Sequence, residues 1–211
     1  MGGSSAGGGG RSKRKLVLLT VVVLGVMGSL TGLGTYASFT STANVAQGSI
    51  GSGAVTIAIS GAGATNRLTL GATGIVPGDT LQRAVDLQDT GDTALASIAL
   101  TTTASPSSLL DTDVANGLQL VVDRCTQAWT ESGTTPAFTY TCGGTTSIVL
   151  ASQPVIGSNL ALSNLTTTTP GTTDHLRVTL TFPASAGNTF QGQTSAITYA
   201  FTGNQRTATN K

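Results

Sequence analysis

The chain has 211 residues, of which 39% are hydrophobic and only 9% charged, with a formal net charge of +1. Soluble domains average about 25% charged residues. This chain therefore lacks the basic excess of a nucleic-acid binder, the Glu/Lys richness of a long coiled coil and the high charge behind most intrinsic disorder. What remains is a small, neutral chain whose length predicts one folded domain.

The residues before the domain carry the export pattern. Met1 to Gly10 is mostly Gly and Ser, a composition that predicts no fixed structure. Four of the ten basic residues, Arg11, Lys13, Arg14 and Lys15, then cluster ahead of Leu16–Leu33, a run without a single charge. A basic n-region (11–15), an apolar h-region (16–33) and small residues after it form a secretory signal. Thr35 and Ala37 supply the small side chains if cleavage falls between Ala37 and Ser38. An uncleaved anchor is the alternative, since the run lies at the lower limit of a bilayer span; Gly25, Gly28, Gly32 and Gly34 lower its helix propensity and favour cleavage. The predicted division is thus a leader and signal over 1–37, a candidate donor strand over 38–48, a β-domain over 49–205 and a polar tail over 206–211. Removing the signal takes four basic residues with it and leaves six basic against nine acidic.

The domain reads as all-β. Alternating apolar residues bounded by turn residues predict strands at 54–59, 67–70 and 80–87. The last of these follows the turn Pro77-Gly78-Asp79, where Pro presets φ and Gly supplies a positive φ. Leu81, Val85 and Leu87 share one face, with Arg83 the exception. After the Asp89-Thr-Gly-Asp92 turn, strands are predicted at 94–101, 118–125, 138–141, 147–150, 175–182 and 196–202, and a short helix within Ser105–Val114. Roughly nine strands of this spacing form a sandwich or barrel. The abundant Thr suits strands and keeps their wet face polar without charge.

Few residues offer chemistry. Cys125 and Cys142 are the only cysteines; in an exported chain an even pair reads as one disulfide, stabilising by about 3 kcal/mol on the chain-entropy account. A redox pair is the rarer role. Trp129 and Tyr140 beside them either face a ligand or, as is usual in a sandwich, cover the bridge. His175 is the only histidine and Glu131 the only glutamate. No Gly-x-Ser-x-Gly elbow or His-Glu-x-x-His motif accompanies them, so no catalytic residue, cofactor site or zinc site is assigned. Asp86, Asp89 and Asp92 are the one acidic group that could hold calcium through loop oxygens, and a solvated turn is the simpler reading. Asn164-Leu-Thr166 matches a glycosylation sequon, a pattern that arises readily by chance in a Thr-rich chain.

Three stretches together resemble the TasA/camelysin family of exported biofilm-matrix proteins. The first, Leu33-Gly-Thr-Tyr-Ala-Ser-Phe-Thr-Ser41, is similar to the junction cut by the SipW-type signal peptidase. The second, Val76 to Leu100, is similar to the family's Pro-Gly-Asp turn, strand, Asn/Asp-x-Gly turn and next strand. The third, Asn188 to Gln205, resembles its Asn-x-aromatic-Gln-Gly segment and final strand; residues 104–174 do not match. The resemblance implies a jelly-roll-like β-sandwich whose freed N-terminal segment adds a strand to the next copy. The donor would be Ser38 to about Gly48, anchored by Phe39 and Val45. It also implies a secreted protein of the cell surface or matrix, with its own copies, the signal peptidase and other matrix components as partners, and with the membrane met only through the signal before cleavage. The family's camelysin branch implies a metalloprotease, from which this sequence departs in having one His and one Glu. The cysteine pair and the Gly-Ser leader depart from Bacillus-type members and suggest an actinobacterial relative. The expected function is therefore a structural surface subunit. A monomeric adhesin or carbohydrate-binding sandwich is the second reading, though only 4% of residues are aromatic, and a camelysin-like protease is the third.

Overall fold

Alternation along the chain builds two antiparallel sheets whose apolar positions face each other. A computed structural model describes residues 57–59, Leu68 and 74–207, with the backbone course of 40–44; the strands belong to one compact unit, Ser38–Lys211. The first sheet has the order β1 (Thr40–Asn44), β11 (Ile197–Gln205), β4 (Leu95–Ala104), β9 (Gly157–Ala161). The second has the order β2 (Ile57–Ile59), β3 (Thr80–Asp89), β10 (Thr173–Thr181), β5 (Gln119–Cys125), β8 (Thr146–Pro154). A separate hairpin joins β6 (Thr130–Thr134) to β7 (Ala137–Thr141). This is the sandwich-like all-β architecture that the sequence predicts.

The core lies between the sheets. Ile98 and Leu100 of β4 and Tyr199 and Phe201 of β11 meet Val85 and Leu87 of β3, Leu120 and Val122 of β5, and Leu176 and Val178 of β10. Most of these are under 2% exposed, and each such side chain contributes about 1.5–3 kcal/mol by leaving water. At one end Phe182 packs edge-to-face on Phe190, with ring centroids 5.4 Å apart. Burial pushes the Tyr199 hydroxyl pKa well above its usual range.

The turns follow their residues. Asp79 N–H donates to Val76 O and Val76 N–H to Asp79 Oδ2, with Gly78 at φ +100° between them. The predicted helix is a single turn, α1 (Leu109–Thr112). Ser108 caps it, accepting from Leu110 N–H, while Asp111 accepts from Ser108 N–H in return, a capping box.

Three readings change. β6 and β9 were not expected, because Thr-Glu-Ser-Gly-Thr and Gly-Ser-Asn-Leu-Ala carry almost no apolar alternation. Leu68, expected within a strand, is a buried turn residue; the rest of 67–70 lies outside the described residues. Arg83 is not a stray polar residue on the core face. Its side chain is 5% exposed, donates to Gln82 O (2.6 Å) and Pro136 O (3.2 Å), and lies over the Phe138 ring at 5.5 Å.

Candidate functional site

The candidate assembly edge is the margin of the first sheet. β1 pairs antiparallel with β11 of its own chain, Thr40 opposite Asn204 through Asn44 opposite Ala200. These five residues are the centre of the predicted donor segment, and they fill in cis the edge that a donated strand would fill in trans. Ala37, Ser38, Phe39 and Val45 lie outside the described residues, as does the apolar run 16–33. Among the described residues no helix is long and apolar enough to cross a membrane. On β11, Gly203 faces inward opposite Ser41, and a Cβ there would stand 2.5 Å from Ile57 Cδ1. The missing side chain lets β2 of the second sheet close against β11 at this edge.

The outer face of the second sheet gathers most of the polar side chains singled out by sequence. The Cys125–Cys142 disulfide forms as predicted and ties the end of β5 to the end of β7. It draws the β6–β7 hairpin over β3, β10 and β5, where Trp129, Phe138 and Tyr140 bury themselves with Ala84 and Cys125. Trp129 and Tyr140 thus cover the bridge. Trp129 donates its indole N–H to His175 O (2.9 Å), and the Arg177 guanidinium stacks on its ring at 4.3 Å, a cation–π contact. Arg177 also forks onto Asp123, through Nε to Oδ1 (3.1 Å) and Nη2 to Oδ2, and donates to Tyr140 O. Burial and a hydrogen bond to Glu131 push the Tyr140 hydroxyl up to about 12.

His175 sits opposite Asp86 across β10 and β3, its Nδ1 2.6 Å from Asp86 Oδ1. Among the described residues this is the ring's only hydrogen bond, and both cysteines are spent in the disulfide. The geometry is that of a cross-strand pair binding two strands together.

The acidic trio is not brought together. Asp86 lies on the outer face. Asp89, three residues on, turns the other way and is 1% exposed, with Oδ1 accepting from Gly91 N–H (2.9 Å) and Oδ2 without a partner. Burial raises its pKa, with the Gly91 bond opposing. Asp92 is exposed and accepts from Thr93. Among the described residues no group of three or more His, Cys, Asp or Glu could hold a metal ion, and with one His and one Glu in the whole chain the residues do not fit a catalytic zinc.

Sequence reasoning missed Asp174. It is 1% exposed and accepts from the backbone and hydroxyl groups of Thr166 and Thr167, at 2.7–2.8 Å, and from Arg124 at 2.9 Å. No spacing in the sequence announces it, because the loop that wraps it lies eight residues upstream. The same contacts occupy the glycosylation pattern: Asn164 Nδ2 donates to Ile148 O (2.8 Å) and the Thr166 hydroxyl to Asp174.

No curated protein matches the chain. The profile of the family described as camelysin metallo-endopeptidase matches residues 12–120. The match takes in the Leu33–Ser41 stretch predicted to be cleaved, β1 and the Val76–Leu100 stretch, and it ends before Asn188–Gln205. It spans more than half of the 211 residues, and the chain belongs to the TasA/camelysin family.

Proposed function

We propose that the chain is an exported structural protein of the cell surface or biofilm matrix, secreted by cleavage after Ala37 and assembled by donation of its N-terminal strand. Membership of the family supports a secreted matrix or camelysin-like role in general. The observation that carries the finer reading is the place of β1. Among the described residues it is an edge strand, hydrogen-bonded to β11 alone, and five residue pairs hold it there. Those pairs are satisfied equally by the β1 of another copy, which is the exchange behind strand addition and domain swapping. Before cleavage the segment is tethered to the signal. Cleavage frees its end, so export and assembly are coupled. Its own copies are the main partner; signal peptidase and other matrix components follow from the same reading.

The test is electron microscopy of protein beginning at Ser38 against protein lacking 38–48. The first is expected to form fibres and the second a folded, disulfide-bonded monomer. Fibres persisting after the deletion would sink the proposal, and a stable monomer from the first would favour the monomeric adhesin or carbohydrate-binding reading.

The family's description favours a second reading, a camelysin-like endopeptidase. Casein cleavage that chelator abolishes would establish it. The residues that would have to act are limited to the His175–Asp86 pair, which lacks a third ligand among the described residues.

A further inference from the structure

Charge is divided between the two sheets. The four strands of the first sheet contain no charged residue, whereas β3, β5 and β10 of the second carry Arg83, Asp86, Asp89, Asp123, Arg124, Asp174 and Arg177. On β4 and β11 the inward positions are the core residues Ile98, Leu100, Tyr199 and Phe201. The alternate positions point outward and stand opposite one another: Thr198 with Thr103, Ala200 with Thr101, Asn204 with Ser97. Ser97, Thr103, Thr198 and Asn204 are exposed. The result is a sheet face of short, neutral, hydroxyl-rich side chains.

Chemistry selects what could cover such a face. Without charge it offers nothing to a nucleic acid or a charged peptide, and without an aromatic ring nothing on which a sugar stacks. A hydroxyl both donates and accepts, so a second copy of the same face matches it group for group and brings no like charges together. Short side chains also let two sheets approach to the usual spacing of about 10 Å. The area sets the strength. Four strands at about 4.8 Å and some seven residues at about 3.3 Å give about 440 Å² per copy. A pair then buries about 900 Å², below the roughly 1,200 Å² of a standard interface. Isolated pairs are weak, but rows of them along two filaments add through avidity.

We propose that the outward face of the β1–β11–β4–β9 sheet is a self-association surface that pairs with the same face of a second copy and joins filaments side by side. It rests on the fibre reading above for its setting, but the pairing itself is measurable on single copies.

The experiment places like charges on the face of protein beginning at Ser38, which contains the whole described core. Ser97→Lys with Thr103→Lys is compared with wild type and with a control carrying Ser132→Lys and Thr134→Lys on the exposed hairpin strand β6. Sedimentation at rising concentration, kept below the onset of fibre growth, is expected to show weak dimers in wild type and control, weakened at least about tenfold in the face variant and partly restored at 1 M salt, where screening is nearly complete. Microscopy is expected to show bundles in wild type and single filaments of unchanged length in the face variant. Thr198→Glu, on the neighbouring strand and of opposite sign, is expected to act in the same direction and guards against misfolding of the double variant. Association unchanged in the face variants, lost equally in the control, or absent from wild type overturns the proposal. Wild type that dimerises without forming filaments overturns strand donation and leaves the face standing.

Discussion

At the scale of the residue, the second sheet is fastened by buried polar groups that differ in how completely they are satisfied. Asp174 is fully engaged, with four bonds from Thr166 and Thr167 and one from Arg124. Asp174→Ala leaves the Arg124 guanidinium, whose Nε already lacks a partner, and two threonines without their acceptor. Breaking a buried pair in this way costs about 3–5 kcal/mol, and urea unfolding is the measurement; a loss below 1 kcal/mol would contradict the network. Asp89 is the opposite case, since its Oδ2 is buried and unpaired and burial raises its pKa. A raised folded-state pKa means that the protonated form is favoured on folding. Its contribution is fully present below the unfolded value of 3.8 and is lost as pH rises through the folded value. Asp89→Asn is therefore expected to gain about 1 kcal/mol at pH 7 and to lose that advantage as the pH approaches 3.8. Equal gains at both pH values would show that ionisation is not the cause. Neither role was legible in the sequence. Arg83 likewise read as an exception on an apolar face, because the Pro136 carbonyl and Phe138 ring that receive it lie over fifty residues away.

At the scale of the element, legibility tracked alternation. β3, β4, β10 and β11 place large apolar residues at alternate positions over most of their length, and the period itself announces both the strand and its buried face. β6 has no such period. It exists because β7 lies beside it and because Gly133, at φ +90°, passes so close to Ala137 that a Cβ would stand 2.3 Å from its carbonyl oxygen. The hairpin contributes little to the main core and depends on its anchors, the Trp129–Tyr140 cluster and the disulfide across a sequence separation of 17. Replacing both cysteines by alanine is expected to cost about 3 kcal/mol. It should also raise acrylamide quenching of Trp129, which is 4% exposed in the intact protein, because the chain has no other tryptophan. Unchanged quenching would mean that aromatic packing alone holds the hairpin down.

At the scale of the whole molecule, low charge is concentrated rather than spread. Polar pairs organise the outer face of the second sheet, while the first sheet is neutral from edge to edge and ends in a strand that belongs to the N-terminal segment. Sheet edges are ordinarily guarded by lysine, proline or a bulge. β11 has instead β1, and under the proposed strand donation that guard would pass between copies. If the cis pairing competes with assembly, locking it must block assembly. Thr42 stands opposite Thr202, and facing residues of antiparallel strands have Cα atoms about 4.5–5.5 Å apart, within the roughly 4.4–6.8 Å that a disulfide spans. Thr42→Cys with Thr202→Cys, oxidised in the monomer, is expected to form no fibres at concentrations where the parent protein is expected to form them. Mild reduction should restore assembly, with wild type under the same reductant as the control for the native Cys125–Cys142 bond. Oxidation after assembly should instead link the new cysteines between copies and give a ladder on a non-reducing gel. Fibres growing while the intramolecular link is intact would mean that copies meet through some other surface, and the exchange of β1 would then be no part of how this chain assembles.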